Sequence, residues 1–404
     1  MDDSAHSRLE IESAFLHAGF KLDQYAAATG TLGREFAHLS DEGEHYVGYF
    51  PQEFRALGFK RLCGIHERNA KLSQAAMVFL NSHLADPRTW SDRQSPRSWR
   101  RIASALRSRG RPFVVIGDSH SANYRRVLVD ERGHHIPLNF QMFAASAAGL
   151  ANPQSRSGWN KRIERIRDEI LPNLPRGTPV FLKFGQVDVE FVHAFKRMQE
   201  KRFGFDVEEF RAFAQRTVDR YISFILAAGL REAIVLSINP PTLTDDGWRK
   251  GYANAHIRGK AHYDLTPEDQ AEFEQLEVPD MLTRTGLHRL FNTMLAERCA
   301  EKGLAWFNDF DRYLGLDGVI DPVFNALWDG RDHHVDFRPS RAVAEKTLAA
   351  AIRMHAPLSA QHQIPRRAEV FDVLVEPVLA SRRAWRLRRA TTLDSGGVMA
   401  SRSA

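Results

Sequence analysis

Cysteine is nearly absent: Cys63 and Cys299 are the only two in 404 residues, far apart and outside any C-x-x-C pair. That excludes a disulfide framework and a zinc knuckle, and both are expected to be small buried apolar residues. Long hydrophobic runs are missing too. No window approaches the roughly 18 consecutive apolar residues of a membrane span. The opening "MDDSAHSRLEIESAF" is acidic and polar, where a secretory leader is basic and then apolar. The expectation is a cytoplasmic protein. Zinc-finger spacing, RNA-binding signatures and aromatic-interleaved strands are also lacking, so nucleic acid is not an expected partner. There is no internal repeat and no long low-complexity tract.

What the chain does have is a 43% hydrophobic content, enough for a sizeable core, and a net charge of +6. The positive charge gathers at "SPRSWRRIASALRSRGR" (Ser95–Arg111) and "SRRAWRLRRA" (Ser381–Ala390). Such clusters suit solvated helix faces and a basic tail, and they also attract phosphates, anionic glycans or lipid head groups.

Residues 1–110 read as a helical N-terminal region. Leu72, Ala76, Phe79, Leu80 and Leu84 recur at helical spacing, and Ser95-Pro96 reads as an N-cap with Pro at the first helical position of a second helix ending at Gly110. From Pro112 the pattern changes. Short apolar runs alternate with amphipathic helices, the signature of a mainly parallel, doubly wound α/β sheet. Strands are expected at Phe113–Ile116, Ile136–Phe143, Val180–Phe184, Ala233–Ile238 and Leu304–Phe307. Helices are expected at Ser121–Val129, Trp159–Leu171, Val207–Ala228, Arg284–Lys302 and Ser340–Met354. This α/β domain spans 111–356, with a polar insert at about 240–280 that is too long for an ordinary βα loop. A basic extension, 357–404, follows, with its last dozen residues expected to be disordered.

Open parallel sheets bind ligands at the carboxyl ends of their strands, so the residues after each apolar run form a natural set. They are Gly117-Asp118-Ser119-His120, then Gly149 and Asn152, then Gly185-Gln186-Val187-Asp188, then Asn239-Pro240-Pro241. Last comes "WDGRDHHVDF" with Asp329, Asp332, His333, His334 and Asp336. A serine hydroxyl becomes a nucleophile when a histidine takes its proton and an acid fixes that histidine's tautomer. Ser119 and the Asp332–His334 cluster can supply those parts across the sheet top. Backbone N–H groups after Ser119, with that of Gly149, can receive the oxyanion of acyl transfer.

"VVIGDSHS", "SAAGL", "FGQVD" and "DGRDHHV" occur in the order seen in SGNH/GDSL hydrolases, and over roughly Pro112–Met354 the chain resembles that family. The resemblance implies a flavodoxin-like three-layer α/β/α sandwich and esterase or acyltransferase activity, without a cofactor or metal. It matches Ser119 to the nucleophile, Gly149 to the oxyanion glycine, Gly185 and Asp188 to the third block, and His334 with a preceding Asp to the last. Two departures stand out. Val187 occupies the place of the family's oxyanion Asn, leaving Gln186 as a substitute donor. "FGQVDVEF" resembles instead the Phe-Gly-Glu-Ile-Asp type of bacterial SGNH-like proteins associated with glycan biosynthesis. The last block is compressed: Asp332-x-His334 replaces Asp-x-x-His, with His333 and Asp329 as the alternative base and acid.

The resemblance therefore implies action on O-acyl, chiefly O-acetyl, groups of a carbohydrate or polysaccharide precursor. Partners would be the acylated carbohydrate and, peripherally, an anionic membrane surface or a glycan-biosynthesis protein. Trp248, Tyr252 and Tyr263 in the insert either stack on sugar faces or pin the insert to the domain. Two other classes compete. One is a catalytically weak glycan-binding module. The other is a metal-dependent phosphoesterase, for which Asp118-Ser119-His120 has the right opening spacing while the companion motifs are missing.

Overall fold

The computed structural model describes residues 60–85, 95–125, 127–130, 133–155, 157–250, 271–272, 274–324, 333–336 and part of 340–354. The packing divides the chain into two compact units, one of residues 1–74, 129–133 and 362–404, the other of residues 75–128 and 134–361. In the first, the described part is chiefly the N-terminal portion of helix α1 (Lys60–Ala85).

The sheet contains β1 (Arg111–Gly117), β2 (Leu128–Asp130), β3 (Gly133–Gln141), β4 (Val180–Lys183), β5 (Ile234–Leu236) and β6 (Ala305–Phe307), in the order β2-β3-β1-β4-β5-β6. The pairings of β1 with β3 and β4, of β4 with β5, and of β5 with β6 are all parallel. Leaving aside the three-residue β2, this is the flavodoxin-like order, whose switch point falls between β1 and β4.

Alternation along the strands produces the layers. Val114 and Ile116 face the larger core with Leu138, Phe140, Leu182 and Val235. Over them lie Trp99 and Ala103 of α2 (Ser95–Arg109), Ile163 of α3 (Trp159–Arg165), Phe210 and Val218 of α4 (Val207–Ala227), and Leu287 and Phe291 of α5 (Met281–Lys302). Phe113, Val115, Phe181, Ile234 and Leu236 face the other way, against Ala344, Leu348, Ala351 and Ile352. Burying each such large side chain contributes about 1.5–3 kcal/mol, so both faces of the central strands are committed to packing. Only the strand ends are left for polar chemistry.

Two expected helices differ in form. Ser121–Val129 is a short 3-10 helix, Ser119–Tyr124, followed by β2. Its polar residues bond locally instead of extending a helix: Ser121 Oγ donates to the Asp118 carbonyl at 2.7 Å, and Asn139 Nδ2 donates to the Ser121 carbonyl at 2.8 Å. Trp159–Leu171 starts as α-helix and passes into a π-helical turn at Ile166–Ile170 and a 3-10 turn at Leu171–Asn173, where Pro172 ends it.

Candidate active site

β1 delivers Asp118 and Ser119 to the switch point. Asp118 caps the 3-10 helix, its Oδ1 accepting from the His120 N–H at 2.9 Å, and that cap turns Ser119 out of line with the strand. Neighbouring strands hold the turn in place. The Asp118 N–H donates to the Lys183 carbonyl at 3.0 Å, the Met142 N–H to the Gly117 carbonyl at 2.8 Å, and Gln141 Nε2 to the Ser119 carbonyl at 3.2 Å. Gly117 has no room for a side chain: a Cβ there would sit 2.6 Å from the Lys183 carbonyl oxygen.

The half-buried Ser119 meets a histidine from 215 residues further along the chain. Its Oγ lies 2.7 Å from His334 Nε2. The His334 ring is stacked on His120, centroids 4.6 Å apart, and packs on His333 at 3.8 Å. His333 is buried, edge-on to Phe191 at 5.1 Å, and it is His334 whose ring nitrogen lies at the serine. Asp329 and Asp332 lie outside the described residues, as do Tyr252 and Tyr263.

His120 is held from both sides. Its Nδ1 is 3.0 Å from Asp118 Oδ1, and its Nε2 is 3.3 Å from the His333 carbonyl oxygen. Burial holds its imidazole below the ordinary value, against the pull of the Asp118 carboxylate in the other direction.

The two amides expected to receive an oxyanion are used otherwise. The Gly149 N–H donates to Ser146, whose Oγ is 3.0 Å away as the cap of the short helix Ala147–Leu150. The same helix start is bound by Asp188, whose Oδ2 accepts from the Ala147 N–H at 2.5 Å and Oδ1 from the Ala148 N–H at 3.2 Å. Gln186 is buried. Its Oε1 accepts from the Asn239 N–H at 2.8 Å and its Nε2 donates to Glu190 Oε1 at 3.1 Å, so it ties β4 to β5. Val187 explains the missing amide. It is buried in an apolar cluster with Phe191, Met198, Leu243, Trp248 and Leu276, where an Asn would have to shed water without a partner. Trp248 is thus packed against the domain, as a pin for the insert would be.

Sequence reasoning passed over Lys183, although a lysine in the run "VFLKF" was the signal for it. It is buried at the end of β4, its Nζ donating to the Ser237 carbonyl and, at 2.5 Å, to Asn239 Oδ1, and lying 5.5 Å from the Tyr124 ring centroid. Burial lowers its pKa, while the Asp309 and Asp118 carboxylates raise it again. Asp309 in turn accepts from Tyr124 Oη at 2.8 Å and Ser237 Oγ at 2.9 Å. This network fixes the ends of β1, β4, β5 and β6 beneath the serine.

No family model and no curated protein matches the chain. Among solved structures it is similar to a GDSL-like lipase from Bacteroides thetaiotaomicron, with a TM-score of 0.33, 12% identity, and 63% of this chain and 97% of that one covered. It is also similar to an extracellular lipase from Streptomyces rimosus, with a TM-score of 0.32, 14% identity, and 60% and 100% covered. A third is phospholipase A1 from Streptomyces albidoflavus, with a TM-score of 0.31, 13% identity, and 61% and 99% covered. At that distance no chemistry transfers, and it has to be read from this chain's own residues.

Proposed function

We propose that the chain is a serine esterase or acyltransferase of SGNH/GDSL type. One contact carries the proposal: Ser119 Oγ at 2.7 Å from His334 Nε2, on the loop where strand order reverses. Ser119 Oγ attacks the acyl carbonyl as its proton passes to His334 Nε2. His334 then returns that proton to the departing alkoxide, leaving an acyl-serine. Water or an acceptor hydroxyl, deprotonated by the same imidazole, attacks the acyl-serine and releases the enzyme. Asp332 is the proposed orienting acid, with Asp329 as the alternative. The Ser119 N–H at the opening of the 3-10 turn is a proposed oxyanion donor.

The finer part of the proposal, O-acetyl groups of a carbohydrate or polysaccharide precursor, is supported by the likeness of "FGQVDVEF" to the glycan-associated type. The internal use of the Gly149 and Gln186 amides favours a slow catalyst, and at its extreme a glycan-binding module. Hydrolysis of a chromogenic acetyl ester tests the serine reading. Ser119→Ala is expected to lower kcat by on the order of 10³-fold or more with the fold intact. Full activity in that variant overturns the mechanism. Acetate release from acetylated oligosaccharides, compared with simple esters, tests the substrate class.

A further inference from the structure

Three imidazoles converge beside Ser119. His120, His333 and His334 each offer a ring nitrogen, and these atoms all lie within 4.8 Å of one another. The rings come from two places far apart in sequence, the turn after β1 and the segment 333–336, so the convergence is a property of the fold. Three nitrogens on a tetrahedral ion at about 2.0–2.1 Å lie roughly 3.4 Å apart, a contraction that side-chain rotation can supply.

The surroundings of His120 point the same way. Asp118 Oδ1 lies 3.0 Å from Nδ1, the carboxylate–histidine arrangement that places the proton on Nδ1 and leaves the Nε2 lone pair outward. That lone pair then faces the His333 carbonyl oxygen at 3.3 Å, two acceptors without a proton between them. A cation near Nε2 removes the conflict. The second Asp118 oxygen, Oδ2, is buried and has no hydrogen-bond partner among the described residues.

We propose that His120, His333 and His334 bind one transition-metal ion of the zinc or cobalt class, and that filling this site removes His334 as the base for Ser119. The second half rests on the serine mechanism proposed above and follows from imidazole chemistry. A neutral ring has a single nitrogen lone pair, and it is the same pair that accepts the Ser119 proton. If the metal takes Nε2, that pair is occupied. If it takes Nδ1, Nε2 carries the hydrogen and can only donate. The set is distinct from a phosphoesterase centre, since two of its ligands come from the "RDHHV" segment and Asp118 acts through His120.

Cobalt(II) added to chelator-treated full-length protein, followed by its visible absorption, tests the site without reference to catalysis. Wild type and Ser119→Ala are each expected to bind one ion. His120→Gln and His333→Gln are expected to lose it, and Asp118→Asn to weaken it by about 10–100-fold, as loss of an orienting carboxylate does. Circular dichroism melts identify any variant that has failed to fold, and a variant competent by that measure decides the case. Ester hydrolysis by wild type is expected to fall in step with cobalt or zinc occupancy and to return with chelator. Failure of the wild type to bind, or binding unchanged in folded His120→Gln and His333→Gln, overturns the site. Undiminished hydrolysis at full occupancy overturns its coupling to His334. If wild type hydrolyses no ester even after chelation, the serine reading and the coupling fall together, and the cobalt titration still decides the site.

Discussion

Two histidines at the same end of the sheet lead opposite lives. His334 is half-buried, stacked on His120, and reaches a serine hydroxyl. His288 on α5 is fully buried; its Nδ1 donates to the Asn239 carbonyl at 2.8 Å, and its other nitrogen is 3.9 Å from Glu190. Burial holds the His288 pKa down at about 3, so it stays neutral at any physiological pH. Nearby, burial and four arginine or lysine neighbours push His193 to about 4. Both line a cleft with Glu190, Arg197, Trp248 and Arg284 that has the residue types of an active site. Residue type alone is therefore a weak guide to a site. An imidazole bonded to a backbone carbonyl inside the core is a fixed strut, whereas one with a nucleophile in reach and solvent nearby can exchange protons.

Paired variants separate the two histidines. His334→Gln is expected to cut kcat by about 10²–10⁴-fold with KM little changed. His288→Gln is expected to leave kcat near wild type and to lower the melting temperature. Equal kinetic losses in the two would erase the distinction. Next in size is Gly185→Ala, measured by denaturant unfolding. Gly185 has φ of 115°, and a Cβ there would lie 2.6 Å from the Phe291 ring, so a loss of about 1–3 kcal/mol is expected.

Val187→Asn tests whether the amide of the SGNH/GDSL pattern can be supplied at this position. Placed among Trp248 and Leu276 without a partner, it is expected to cost about 1–3 kcal/mol and to leave kcat no higher. A rise in kcat would show that the amide reaches the reacting carbonyl. A last effect is on acid stability. His288 and His193 take protons near 6.5 when unfolded and only near 3 and 4 when folded, so below about pH 6.5 the unfolded chain binds more protons. Their stabilising contribution is full above that value and is lost as pH falls toward 4 and 3. Melting curves across this range are expected to show a shallower acid decline in His288→Gln than in wild type.

The strands were legible because both faces of a central parallel sheet are apolar, and runs such as "FVVI", "VFLK" and "AIVL" announce that directly. Ser119 was legible for the complementary reason, as a polar cluster breaking off from such a run. The turn after it was not, since the spacing of Ala122 and Tyr124 fits a helix while the choice of a 3-10 turn depends on Asn139, a partner 18 residues away. Gln186 and Gly149 misled because their positions in the chain matched a donor's, and only the folded contacts reveal that Glu190 and Ser146 already accept from those N–H groups. Local sequence records which groups are present, not which are already occupied.

The 215-residue separation of Ser119 and His334 has a consequence for synthesis. Ser119 is made near the start of the α/β unit and His334 near the end, so a nascent or truncated chain that stops before residue 334 holds the serine without the imidazole proposed as its base. Chemistry and the completed fold therefore arrive together. Under the proposed mechanism, appearance of ester hydrolysis during refolding reports closure of this long-range contact and not the formation of the sheet.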